Sequence, residues 1–380
     1  MTVNDDFTSI LYNDLQTYDP YDIWKTSIGI KVKQLYYKNK YIGLIPAGLL
    51  SIYDIYINNR LRFGYKKQEY PIVRAQAALS LINLYKKGDN LEYLEYAKKH
   101  IDWLLNNYCA GYSGHCWGAG FRIVISSKIF YDSNTPFSTI TPYVLEALYE
   151  YYLITKDSDV LLIIGSIFEF YEGDIETIEE NEAILITSYG PSRDRVVTNA
   201  ISYTMFAYSI FYNLLDEKEY IKNKIIKMSN FIVLVQREDG SWLYAPYDEN
   251  SFIDCFHSAF ILKNLLKTLK NVDIQLGNQV IEKGYSYIKT NFYDTENGLF
   301  KRFSISNKPS LTKFDLYDNA EMLYLSKLIG DLKLSEKLED SIEQFHNYKD
   351  IFSVIEVLGM KKNKNTFRWA VMPYLLARSS

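Results

Sequence analysis

Apolar residues recur at helical spacing through most of the chain. PIVRAQAALSLINLYKKG (71–88) opens on Pro71 and ends on Gly88, the order that a helix start and stop require. LEYLEYAKKHIDWLLNNY (91–108) is a second amphipathic run. The same two-run unit returns at 138–155 with 159–171, 199–215 with 220–236, 252–269 with 278–292, and about 313–329 with 333–346. An apolar run closes the chain up to Leu376. Before the first unit, the pattern predicts helix near 20–37 and again over 42–58, with Pro46 near its start. Short β pieces are expected in 120–133 and near 183–188.

The segments joining the units share a form: a small or polar turn followed by aromatic residues. FGY (63–65), CWG (116–118), SYG (188–190), SWLY (241–244), LFKRF (299–303) and FRW (367–369) recur at intervals of roughly 50 to 70 residues, a spacing typical of stacked helical units. A helix pair cannot bury its own apolar stripe, so pairs must pack side by side. About six pairs without polar terminal caps predict an all-α (α/α)6 toroid with short β pieces in its connectors; an open solenoid is the rival, and the apolar C-terminal run speaks against it. It is expected to form one domain over 1–380, in which 1–60 is the helical part least defined by pattern. In such a ring the six aromatic connectors fall at one end, around a central cavity.

Composition narrows the partners. Of 380 residues, 48% are hydrophobic and 23% charged, which suits a large core and excludes a disordered chain. The net charge of −4 shows no basic excess for nucleic acid. Tyrosine, at 35, outnumbers phenylalanine at 20 and tryptophan at 5, and rings with a polar tip suit the stacking faces of sugars. Cys109, Cys116 and Cys255 are too few for a disulfide framework. MTVNDDFTSILYNDL lacks an apolar signal core, and no uninterrupted apolar run reaches the roughly 18 residues of a membrane span. The expectation is a cytoplasmic protein with a saccharide or glycan partner, no membrane span and no cofactor.

The candidate chemistry concentrates in Gln236–His257, QREDGSWLYAPYDENSFIDCFH. Asp254 and His257, three apart, share a helix face. A carboxylate that orients an imidazole is standard acid–base apparatus near neutral pH. Gln236 and Trp242 read as a brace between helix ends, and Trp242 and Tyr244 also count as substrate-binding candidates. GHCWGAGFR offers Trp117 for stacking and Arg122 for a carboxylate. SYGPSRDR places Tyr189, Arg193, Asp194 and Arg195 before a helix that contains Asn199. FDLYDNAE adds Asp315, Asp318, Asn319 and Glu321, and Arg368 with Trp369 forms a fainter pair. His115, Cys116, Cys255 and His257 make a conceivable zinc set. Phosphate loops, dinucleotide fingerprints, His-Glu-x-x-His and Gly-x-Ser-x-Gly are absent.

Q-x-x-D-G-S-W resembles the helix-bracing element of squalene- and oxidosqualene-cyclase toroids, but the Asp-x-Asp-Asp run those enzymes need is missing. The His/Cys set is similar to that of the lanthionine cyclases, but with a different residue order. The ordered series CWG…F, SYG…N, Q-x-x-D-G-S-W and I-D-x-F-H-x-x-F resembles toroid proteins of bacterial capsule and lipopolysaccharide gene clusters, over about residues 70–270. More distantly, the chain is similar to glucuronyl C5-epimerases, unsaturated uronyl hydrolases and polysaccharide lyases. The family pattern falls on Trp117, Tyr189, Asn199, Trp242, Asp254 and His257, and Cys255 departs from it.

The resemblance implies a carbohydrate-active protein of surface-polysaccharide biosynthesis. Catalysis would rest on His257, Asp254 and Tyr189, and binding on Trp117, Arg122, Arg195, Asn199, Trp242, Tyr244 and Asp318. The reaction would be epimerisation, lysis or hydrolysis. The alternatives are a non-catalytic toroid that binds glycan or other polysaccharide-assembly enzymes, and a zinc-dependent enzyme like the lanthionine cyclases.

Overall fold

Thirteen helices carry the architecture in this computed structural model, which describes residues 9–124, 130–193, 195–306, 310–348 and 350–380. In chain order they are α1 (Ser27–Lys38), α2 (Lys40–Tyr53), α3 (Pro71–Gly88), α4 (Leu91–Asn106), α5 (Thr141–Thr155), α6 (Ser158–Gly173), α7 (Thr198–Leu214), α8 (Lys218–Leu234), α9 (Cys255–Asn271), α10 (Asn278–Asn291), α11 (Leu316–Ile329), α12 (Leu332–Ile342) and α13 (Met372–Ser379). Short turns of helix precede α1 and follow α2.

Helices α3, α5, α7, α9, α11 and α13 form a ring in which each packs on the next and α13 closes back onto α3. The fold is an (α/α)6 toroid. Inner helices are buried almost all round, as α7 shows over Thr198–Phe211. Their sequences accordingly lack a strong polar face, while the outer helices α4 and α12 keep one. Five inner helices have a following outer partner, and α13 completes the ring.

Local signals set the ends. Pro71 and Pro142 stand in the first turns of α3 and α5, where a missing N–H costs nothing. Gly330 stops α11 in the left-handed region at φ 84°. The turn after α3 falls on Asp89 (φ 51°), one residue beyond the glycine that the sequence suggested.

Every outer-to-inner connector therefore lies at the N-terminal end of the inner helices, and the aromatic turns share that rim. Strand pieces occur there, including Ile123–Val124 with Phe130–Tyr131 and Thr177–Glu180 with Leu185–Thr187. Part of the 120–133 stretch lies outside the described residues, as does Asp194. A sheet that the periodicity did not suggest joins His346–Asn347, Asp350–Glu356, Lys361–Lys364 and Thr312–Asp315. The continuous helix Lys40–Leu61 is 22 residues long with a mean hydropathy of 1.2, long and apolar enough to cross a bilayer, and only 11% of its apolar window is buried. Gly43, Pro46, Gly48, Ser51 and Asp54 interrupt its apolar run, which is why no such segment stood out in the sequence.

One buried histidine makes a stability prediction. His100 Nε2 lies 2.8 Å from the Leu11 carbonyl, so it must donate, and Nδ1 must accept from Arg74 Nη1 at 2.9 Å. Burial, with Arg74 nearby, pushes the His100 pKa down to about 4. The unfolded chain, with an ordinary histidine near 6.5, then binds more protons between those values. Stability should fall as pH drops from about 6.5 towards about 4. His100→Gln should flatten that slope in thermal-unfolding midpoints measured across the window; an unchanged slope would place the titration elsewhere.

Candidate active site

Asp254 sits at the join of a strand pair and a helix. Ile253–Asp254 pairs with Phe303–Ile305, and this holds Asp254 extended at φ −126° and ψ 165°. Its carboxylate then caps α9 through the His257 backbone N–H at 3.2 Å. The His257 ring folds back so that Nδ1 lies 2.8 Å from both Asp254 oxygens. A carboxylate can only accept there, so Nδ1 carries the proton and Nε2 keeps its lone pair. Among the described residues nothing bonds Nε2, and the side chain is 19% exposed.

Aromatic rings surround this imidazole. Tyr244 stands 4.6 Å away, Phe256 3.9 Å, and Phe252 and Phe260 5.9 Å each, between ring centroids. Tyr244 stacks flat on Phe252 at 4.7 Å. On the far side of Phe256, Trp369 packs at 5.6 Å, then Tyr317 and Tyr21 pack on Trp369 at 4.5 and 5.3 Å. Phe252 and Trp369 come from connectors, Tyr317 from the first turn of α11 and Tyr21 from the N-terminal segment. Trp369 stands in the FRW connector, Phe252 in the Gln236–His257 stretch and Tyr317 in FDLYDNAE, whereas Tyr21 had no site signal in the sequence beyond being aromatic.

Tyr189 is half-buried on the Tyr244 side. It packs on Phe137 at 5.2 Å and accepts a 3.3 Å hydrogen bond from the Thr139 hydroxyl. Burial pushes its phenol pKa up, and the Arg195 and Arg368 charges oppose this. Arg195 bonds Asp248 through Nε at 2.8 Å and through Nη2, and lies 5.0 Å over the Tyr244 ring. Asn199 is 4% exposed, and its Oδ1 has no partner among the described residues.

Other expected ligand contacts have structural duties instead. Trp117 is fully buried and its indole N–H donates to the Leu104 carbonyl at 3.0 Å, so it cannot stack on a sugar. Trp242, 2% exposed, does the same to Ile232 at 2.9 Å. The two tryptophans are equivalent braces, each tying a connector to the outer helix before it. Gln236 adds to the second brace by donating to the Gly240 and Val280 carbonyls at 3.0 and 2.9 Å. Trp242→Phe should cost about 1–3 kcal/mol because the Ile232 carbonyl stays buried and unpaired. Denaturant unfolding checks this, and an unchanged midpoint would remove the bracing role.

Asp318 is fully buried and accepts from Arg302 Nε at 2.6 Å and from the Phe256 backbone N–H at 3.1 Å. It supports the start of α9 and does not face a ligand. Arg302 also pairs with Asp315 at 2.6 Å. Burial pushes the Asp318 carboxyl up, Arg302 opposes this, and Asp315 and Asp254 add to it. Arg122 stands 3.9 Å over Phe130 and 3.6 Å from Asp132, with its side chain 43% exposed.

The zinc grouping does not assemble around one set of partners. His115 Nδ1 bonds Ser166 at 2.8 Å, Cys116 Sγ turns to the Cys109 carbonyl, and burial pushes the Cys255 thiol up. Among the described residues no group of three or more His, Cys, Asp or Glu is placed to hold a metal.

Below the rim, charged and hydroxyl groups fill the axis. Lys263 bonds Glu321 at 2.6 Å and Tyr143 at 3.4 Å, Tyr143 bonds Tyr203 at 2.6 Å, and Lys267 bonds Glu146 at 2.5 Å. A cavity of about 440 Å³ opens at the opposite mouth, lined by Asn83, Lys86, Glu146, Phe206, Lys267 and Tyr324. The His257–Asp254 pair lies at the rim and not among the residues that line this cavity, which makes the rim the candidate active site.

The fold has solved counterparts. A sugar epimerase from a ruminal bacterium superposes with a TM-score of 0.61 at 15% identity, over 83% of this chain and 88% of that one. Cellobiose 2-epimerase from Bacillus thermoamylovorans gives 0.62 at 14% identity, over 82% and 86%. A glycosyl hydrolase of family 88 from Bacteroides vulgatus gives 0.56 at 13% identity, over 87% and 97%. No protein-family model and no curated protein sequence matches the chain. At these identities the likeness is one of fold.

Proposed function

We propose that the protein is a carbohydrate-modifying enzyme, an epimerase in which His257 exchanges a proton on a sugar or uronate-bearing glycan. The observation that carries this reading is the His257–Asp254 pair, whose Nε2 has no partner among the described residues and whose imidazole is surrounded by aromatic rings. Several structural counterparts act on sugars by name, which supports the same class.

The chemistry follows from the protonation states. Nε2 takes a proton from the carbon beside a carbonyl or carboxylate, and the C–H electron pair moves into an enolate. Asp254 steadies the imidazolium that forms. The Tyr189 phenol, held protonated by its raised pKa, returns a proton from the other face and inverts the centre. Arg195, the half-exposed arginine near Tyr189 and Tyr244, holds the substrate's anionic group. Asn199 Oδ1 offers a further acceptor. Hydrolysis by paired carboxyls fits less well, because Asp315 and Asp318 both close on Arg302. Placement in surface-polysaccharide biosynthesis belongs to the same proposal and rests on the motif order.

The test is incubation in deuterated water with neutral disaccharides and uronate-containing oligosaccharides. Deuterium at one carbon with a new epimer supports the reading. New unsaturated or reducing ends would replace it with lysis or hydrolysis, and no change across the panel would leave a glycan-binding toroid.

A further inference from the structure

Helices α1 and α2 form a hairpin that the ring does not absorb. A single residue, Asn39, turns one helix into the other and caps α2. Gly43 lets the two backbones meet, since a Cβ there would fall 2.2 Å from Tyr36 Cα. The outer face of α2 and the turn that continues it carries Ile42, Ile45, Leu49, Ile52 and Tyr56, spaced three and four apart, and exposed by 61, 69, 64, 54 and 46%. Tyr41, Leu44, Ile57, Leu61 and Phe63 widen the same exposed apolar surface. Burying such a row is worth far more than leaving it in water.

Charge identifies what covers it. From Ile23 to Gln68 the chain has nine Lys or Arg residues and one acid, Asp54, in a protein whose net charge is −4. Lys31, Lys38, Lys40, Arg60, Lys66 and Lys67 are exposed. None of these six closes an ion pair among the described residues. A second copy of the hairpin would bring like charge against like charge. An anionic bilayer matches both the apolar row and its cationic margins.

The hairpin is tied down at both ends. Asn59 bonds Asn363 at 2.6 Å near its root. Tyr37, two residues before the tip, lies within reach of the Arg195 charge, and α1 packs on Ile123–Val124. It therefore lies along the rim and cannot stand upright through a membrane.

We propose that α1–α2 is an in-plane membrane anchor that seats the rim end of the toroid on an anionic lipid surface. Flotation with phosphatidylcholine vesicles, with and without about 30% phosphatidylglycerol, tests it. The protein should float with the anionic vesicles and be released by roughly 0.5 M salt. Ile45→Asp/Leu49→Asp/Ile52→Asp and, separately, Lys31→Glu/Lys38→Glu/Lys40→Glu should each lower the bound fraction at least about tenfold. All six side chains are on the hairpin's solvent side, and circular dichroism confirms that the variants fold. Three outcomes overturn the proposal: no flotation of the unaltered protein, flotation indifferent to both triple changes, or a dimer by light scattering that the aspartate triple dissolves.

Discussion

Changing His257 to glutamine is expected to lower proton exchange on a susceptible sugar by about 10²–10⁴-fold, the usual contribution of a positioned acid–base group. Glutamine keeps the length and polarity of the imidazole but offers no titratable lone pair. Asp254→Asn should act through a different route. Asparagine caps a helix as well as aspartate does, so the thermal midpoint should move little. Its amide, however, can donate to Nδ1, and that would shift the ring proton to Nε2 and remove the base. Exchange measured by mass spectrometry in deuterated water should therefore fall in both variants, with stability nearly intact in both. If exchange survives in His257→Gln, the proton carrier is elsewhere on the rim, and Tyr189→Phe is the next variant to measure.

Arg302→Met should destabilise the fold by about 3–5 kcal/mol, the cost of leaving buried carboxylates without their partner. Arg302 pairs with Asp315 and Asp318 at 2.6 Å each, and neither aspartate is more than 4% exposed. Asp315 caps α11 through the Tyr317 N–H, and Asp318 accepts the Phe256 N–H at the start of α9. The loss reaches His257 as well, because α9 begins on that contact. With Arg302 gone, both carboxyls are driven further towards the protonated form, so the defect should be largest at high pH and shrink as pH falls. Arg302→Lys keeps the charge but loses the two-pronged geometry and should fall between. Urea unfolding at several pH values measures all three proteins. A loss below about 1 kcal/mol in Arg302→Met would mean that the aspartates are held by other groups.

These two sites differ in how far the sequence exposed them. Asp254 and His257 are three residues apart, and local helix geometry alone brings them together. Arg302 lies 13 residues before Asp315, further than any helix or strand spacing, so no periodic rule pairs them. Asp318 looked like a ligand contact because a carboxylate near an aromatic turn has two readings that differ only in burial. Trp117 and Trp242 raised the same ambiguity. A tryptophan after a small residue suits a sugar platform and a packed brace equally, and the indole N–H found its carbonyl inside.

The sheet around Asp350–Glu356 escaped the helical rhythm for a related reason. DIFSVIE is a run of Phe, Val and Ile bounded by Asp350 and, further on, Gly359, which is a strand signal. It was short and lay between two strongly helical stretches. The hairpin over 27–61 was legible as helix but not as surface. Whether an apolar face points into a core or into solvent depends on what packs against it, and the packing of α2 on α1 leaves its outer face exposed.

The sequence by itself determined the helix pairs, their order, the ring and the placement of six aromatic connectors at one end. Those follow from 3.6-residue periodicity and from the need of each pair to bury its stripe against a neighbour. It also determined the Asp254–His257 pair, which is local. Only the tertiary structure decided which rings face the opening, which carboxylates are spent on Arg302, and which apolar helix face stays bare. Each of those depends on contacts between residues far apart in the chain, and burial is a property of the packed ring that no single segment carries.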